Sequence, residues 1–136
     1  MSLLTYKNYT LAYNLAVAAI QNGSLPIIEY LEGNSVKLFE PYVAVDLAKT
    51  ALNKDHDEIV KHIVNRSPKI ISLKNFELLF SAVRKGNMEL LERFIDIDPN
   101  IIHSNWKQIA VEAIQYNQPV VLSFLKQHFR NPSKYE

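Results

Sequence analysis

Residues that tolerate helix reversal return along this chain at nearly constant intervals, and their neighbours return with them. With Gly23, Asp55, Gly86 and Asn117 as anchors, the intervals are 32, 31 and 31 residues. Four positions before each anchor stand Ala19, Ala51, Ala82 and Ala113. Seven before stand Ala16, Ala48, Leu79 and Ala110, and eight before stand Leu15, Leu47, Leu78 and Ile109. Four and five after come Ile27-Ile28, Ile59-Val60, Leu90-Leu91 and Val121-Leu122; eight after come Leu31, Ile63, Phe94 and Leu125. Most columns are apolar in all four rows, which no single buried element would require.

The columns before the anchor share one face of a helix by i, i+3, i+4 spacing, and those after it form the stripe of a second helix. The small Ala four before the anchor implies close approach by a neighbour. Gly, Asp and Asn are the types that accept the left-handed conformation ending many helices. The next column, Ser24, His56, Asn87 and Gln118, is polar and suited to capping the following helix. Pro26 and Pro119 fall in that helix's first turn, where proline is tolerated. Each repeat therefore reads as a helix, a tight turn and an antiparallel helix. Helices are expected near residues 10–22, 25–33, 43–54, 57–65, 75–85, 88–96, 106–116 and 119–129. Ser67-Pro68 and Asp98-Pro99, 31 apart, stop the second helices, with about ten residues expected before the next helix.

Composition narrows the functional classes. The net charge of +1 provides no global field for nucleic acid or membrane. The absence of cysteine removes disulfides and thiolate chemistry, and fits a reducing compartment. No apolar run approaches bilayer length, and the first ten residues carry no secretory pattern. Three glycines in 136 residues argue against hairpin-rich β folds and phosphate-binding loops.

Asp55-His56-Asp57-Glu58-Ile59-Val60-Lys61-His62-Ile63-Val64 resembles the Gly-His-x-Glu-Ile-Val second helix of the ankyrin repeat. Ala82-Val83-Arg84-Lys85-Gly86-Asn87-Met88-Glu89-Leu90-Leu91 is similar to the junction of that family's two helices, and Asp98-Pro99-Asn100 stands at its Asp-x-Asn position. The resemblance covers about residues 8 to 128. It departs where the family has Thr-Pro-Leu-His, which no repeat contains, and where the hairpin-tip glycine is replaced by Ala44, Asn75 and Trp106. The resemblance implies an all-α, ankyrin-like solenoid of four antiparallel helix pairs with irregular or shortened hairpin loops. The repeats span about 8–35, 36–66, 67–97 and 98–129 in a single domain, followed by a short polar tail, 130–136. Asn131-Pro132-Ser133-Lys134 reads either as that tail or as the start of a fifth repeat, in which case the chain belongs to a longer protein.

The histidines, His56, His62, His103 and His128, lack metal-ligand spacing, so no metal or other cofactor is expected. Asp55, Asp57 and Glu58 gather at a helix start, where they complement the helix dipole. No catalytic motif is visible, and the chain reads as a non-enzyme. In the ankyrin family partners meet the concave face, made of hairpin tips and first helices. Carried over by position, that face comprises Tyr42, Lys74, Phe76, Arg84, Lys85, Asn105, Trp106, Lys107, Gln115 and Tyr116. Trp, Tyr and Arg are frequent interface anchors. Phe76 and Trp106 have a second reading, as core residues that fill the hairpin layer.

The expected function is a protein-protein interaction module that binds a partner protein or peptide, with an acidic surface favoured by the local basic residues. A nucleic-acid-binding helical repeat is the alternative, disfavoured by the neutral total charge. A third reading is an enzyme subunit or a targeting domain cut from a larger protein. A monomer in the cytoplasm is expected, with no membrane association. The Asn-, Lys- and Ile-rich, degenerate repeats also suggest a host-directed protein in the host-cell cytoplasm, if the source is an intracellular pathogen or virus.

Overall fold

In a computed structural model, residues 6–34 and 38–130 are described. The proposed tail from 131 onward, including the Asn131 to Lys134 segment, and the first junction between repeats at 35–37 lie outside them. The described residues are all-helical. They form α1 (Tyr6–Gln21), α2 (Leu25–Gly33), α3 (Pro41–Asn53), α4 (Asp57–Arg66), a 3-10 turn (Pro68–Ile71), α5 (Leu73–Lys85), α6 (Met88–Ile97), α7 (Ile101–Gln115) and α8 (Pro119–Arg130). No helix among them is long and apolar enough to cross a membrane. Two compact units, Met1–Leu78 and Leu79–Glu136, divide the chain within α5.

The four anchors adopt the conformation expected of them. Gly23, Asp55, Gly86 and Asn117 have φ of 69°, 61°, 65° and 55°. Their hydrogen bonds are also the same. The amide of the residue after the anchor donates to the carbonyl four before it: Ser24 to Ala19, His56 to Ala51, Asn87 to Ala82 and Gln118 to Ala113, at 2.7–3.0 Å. Each anchor amide donates to the carbonyl three before, in Ile20, Leu52, Val83 and Ile114. This is a Schellman turn written four times, and it closes otherwise orphaned helix-end carbonyls.

In the first unit α1 packs on α2 and on α3, α3 packs on α4, and the 3-10 turn lies against both α3 and α4. In the second, α7 packs on α8 and on α6. The repeated apolar columns supply these cores. Ala19, Ala51, Ala82 and Ala113 are all buried, as are Leu31, Ile63, Phe94 and Leu125. Two columns have one exposed member each: Leu15 is 46 % exposed and Ile27 48 % exposed, whereas their counterparts in the later repeats are buried.

The connections between repeats differ from expectation. The anticipated ten-residue loops are largely helical. Asp98 Oδ1 accepts the Asn100 amide at 3.1 Å, and α7 begins at Ile101, several residues before the expected start near 106. Ile101 and Ile102 are fully buried, as Ile70 is in the equivalent 3-10 turn, so burial draws these apolar pairs into helical turns. α5 contains a second departure. Lys74, Asn75 and Phe76 have φ of 53°, 56° and 60°, three successive left-handed residues with no glycine among them. Ion pairs flank the run: Lys74 with Asp46 at 2.5 Å, and Glu77 with Lys49.

Candidate protein-interaction face

The side chains of the polar column after the anchors do not share one task. Only Asn87 caps its own helix, accepting the Leu90 amide at 3.2 Å. Ser24 and His56 form no side-chain cap. His56 instead lays its ring over Gly23, where a Cβ would meet its Cε1 at 2.8 Å. Gln118 reaches over Gly86, donating from Nε2 to the Arg84 carbonyl at 2.7 Å. A Cβ at Gly86 would meet its Cδ at 2.9 Å. Both glycines thus provide close approach as well as positive φ.

The same bond to Gln118 fixes the backbone of Arg84, near the end of α5. Its guanidinium makes a two-pronged contact with Glu112 of α7: Nε donates to Oε2 at 2.9 Å and Nη2 to Oε1 at 3.0 Å. Gln108 Nε2 adds a bond to Oε1 at 3.2 Å. The Tyr116 ring centroid lies 5.5 Å from the guanidinium carbon. Planar, bidentate pairing and aromatic stacking suit Arg and not Lys here. Glu112 is buried, yet its carboxyl is held below its ordinary value, first by the hydrogen bond from Arg84 and then by that from Gln108, against the opposing effect of burial.

Around this cluster the predicted residues fall into separate settings. Arg84 and Tyr116 meet directly, and Tyr116 remains 52 % exposed. Lys85 and Gln115 are exposed at the ends of α5 and α7. Asn105 is half-buried and turned inward, donating to the Ile101 carbonyl at 2.8 Å. Trp106 is 42 % exposed, with its ring edge-to-face against Phe129 at 5.8 Å and the Lys107 ammonium 5.7 Å away on its other contact. Asn105, Trp106 and Lys107 also line an open concavity of about 420 Å³ with His103, Ser104 and Gln108. Six consecutive helical residues point in all directions around their axis, so this is a surface depression. In the first unit, Tyr42 projects from the first turn of α3. Phe76 is half-buried in its left-handed position. The Lys74 ammonium is raised above its ordinary value, chiefly by its hydrogen bond to Asp46.

Sequence reasoning missed Glu112, Gln108 and Gln118. A signal for the first was present. Asp46–Lys74, Lys49–Glu77 and Arg84–Glu112 are all opposite charges 28 residues apart, one helical turn less than the repeat. The consequence is that two of the cations assigned to an acidic partner are answered inside the protein.

The histidines serve packing. His62 Nε2 lies 3.0 Å from Glu32 Oε1, with Phe39 edge-on at 6.0 Å. His128 is 4 % exposed, between Phe124 and Phe129 and 6.2 Å from His103. Burial, and secondarily the His103 charge, lowers the pKa of His128 below its ordinary value.

No family model, curated protein or solved structure matches this chain.

Proposed function

We propose that the chain is a protein-interaction module, an ankyrin-like stack of helical hairpins whose first helices present a recognition face. The observation that carries this reading is the Arg84–Glu112–Tyr116 cluster. A half-exposed aromatic ring and a guanidinium are held in place before any partner arrives, so little side-chain entropy remains to be lost on docking. Such pairs are typical anchors. Lys85 and Gln115 border the cluster and favour an extended acidic peptide, whose carboxylates meet Lys85 while its backbone or an apolar side chain lies on Tyr116. Because Glu112 neutralises Arg84, Arg84 contributes position and shape to that face more than net charge. Nucleic acid is the weaker reading, since Lys74 and Arg84 are each engaged by a carboxylate.

The test is selection from a displayed peptide library, followed by titration of the selected acidic peptides against Tyr116→Ala and Lys85→Ala. Loss of binding in both is expected. Undiminished binding would reject this face, and binding to RNA that weakens steeply with salt would favour the alternative.

A further inference from the structure

The column just before the anchors reads Asn22, Lys54, Lys85 and Tyr116, so only the first turn is an Asn-Gly pair, and the chain contains no other. Asparagine is a thermolabile residue, and a following glycine makes it self-reactive. The Gly23 nitrogen gives up its proton and bonds to Asn22 Cγ. The Cγ–Nδ2 bond breaks, and the side-chain nitrogen leaves as ammonia with that proton. Water then opens the five-membered imide at either carbonyl, leaving aspartate or isoaspartate at position 22. Glycine favours the closure because it has no Cβ to crowd the ring and the widest backbone freedom.

Asn22 and Gly23 are both exposed, so water reaches them. The turn itself opposes the reaction. The Gly23 amide donates to the Ile20 carbonyl at 3.0 Å, which holds the proton that must leave. Asn22 Nδ2 donates to the Ala18 carbonyl at 2.9 Å, which folds the side chain back along α1, away from the Gly23 nitrogen. The Ser24 amide closes the turn on Ala19 at 2.8 Å. A further restraint comes from the second hairpin. Cε1, Nδ1 and Nε2 of His56 lie 2.8, 3.0 and 3.2 Å from the point a Gly23 Cβ would occupy. The imidazole therefore covers one side of the residue whose nitrogen has to turn. Ring closure requires the turn to open and the imidazole to move aside.

We infer that Asn22–Gly23 is a self-modification site, gated by closure of the first turn and by the His56 ring upon it. The inference is independent of the peptide-binding face. The change is one-way, because the ammonia is lost. It takes the net charge from +1 to 0. It sets a carboxylate against the Ala18 carbonyl, at the negative end of the α1 dipole. In isoaspartate the main chain runs through Cβ and Cγ and is one carbon longer, so the bonds from Gly23 to Ile20 and from Ser24 to Ala19 lose their register. The first hairpin thus keeps a record of how often its turn has been open. The other turns keep none, because Lys54, Lys85 and Tyr116 have no side-chain amide.

The test incubates the whole chain for weeks in warm neutral buffer and follows position 22 by peptide mass spectrometry, which detects the exchange of side-chain nitrogen for oxygen. The folded chain is expected to react, with isoaspartate in excess, but at least roughly tenfold more slowly than the same chain in urea, since the rate follows the population of the open turn. His56→Ala should speed the folded reaction roughly fivefold, the effect of an average side-chain truncation on closure. Asn87→Ala, which removes a cap from another hairpin, should leave the rate unchanged and so separates local opening from global unfolding. The modified fraction, isolated by ion exchange, should unfold at a lower urea midpoint than the parent. The inference is overturned by a folded chain that reacts as fast as the unfolded one or not at all, or by His56→Ala slowing the reaction or leaving it unchanged. Equal acceleration by Asn87→Ala overturns it too, as does a modified fraction as stable as the parent.

Discussion

Replacing Gly86 by Ala tests two constraints at one atom. The residue has φ of 65°, and Gln118 lies where the methyl group would go. Holding an L-residue left-handed costs about 1–2 kcal/mol. The stiffer unfolded chain returns about 0.5 kcal/mol of that. The methyl also displaces Gln118, whose bond to the Arg84 carbonyl contributes about 1 kcal/mol. The net loss is about 2 kcal/mol, or a fall in Tm of about 8 °C for a chain of this length. Gln118→Ala alone should cost about 1 kcal/mol, by removing the same bond without strain. The double variant should then lose about 2 and not 3 kcal/mol, because the methyl has nothing left to displace. Urea and thermal unfolding followed by circular dichroism measure all three. Additive losses, or a Gly86→Ala variant within 0.5 kcal/mol of the parent, would refute the close-approach argument.

Three other outcomes follow from the same geometry. Asn87→Ala should destabilise by about 1 kcal/mol through loss of its cap, while Ser24→Ala should change stability by only a few tenths, so urea midpoints that rank them in the opposite order contradict the cap assignment. The Glu112 carboxyl has a lowered folded-state pKa, so its stabilisation is complete above the ordinary value of 4.5 and declines as pH falls from there toward the folded value. Glu112→Gln should cost about 1–3 kcal/mol at neutral pH, discounted toward the lower end because Arg84 is partly exposed, and should flatten the acid limb of the stability profile. His128 is likewise lowered, so its neutral form stabilises the fold above the ordinary value of 6.5, and stability should decline as pH drops below it. His128→Phe should shrink that decline, and a parent protein equally stable on both sides of this window would exclude the burial argument.

The helices were legible because their apolar columns recur, and the anchors were legible because left-handed residues have few chemical choices. The expected 25–33 span coincides with α2, and most other boundaries fall within two or three residues. The start of α7 was not legible. It depends on buried Ile101 and Ile102 completing a turn behind the Asx contact of Asp98, which is a tertiary effect. The left-handed run at Lys74–Phe76 was hidden for the opposite reason: no glycine marks it, and its flanking ion pairs reach residues 28 positions away. At the candidate face, Tyr116 and Arg84 were visible as residue types. Their mutual contact and the buried Glu112 beneath them were not, because a carboxylate on a helix ordinarily reads as solvated surface.

The column after the anchors carries information about order. Gly23 lies under His56 and Gly86 lies under Gln118, so each reaching side chain follows a hairpin whose turn lacks a Cβ. Asn87 keeps its side chain for its own helix. The hairpins are therefore not interchangeable parts. Moving Gln118's hairpin behind a turn built on Asp55 would set an amide against a side chain, although the backbone bonds of the two turns are identical. In two of the repeats one residue, His56 or Gln118, thus acts as a key, and the glycine turn before it as the lock that admits it.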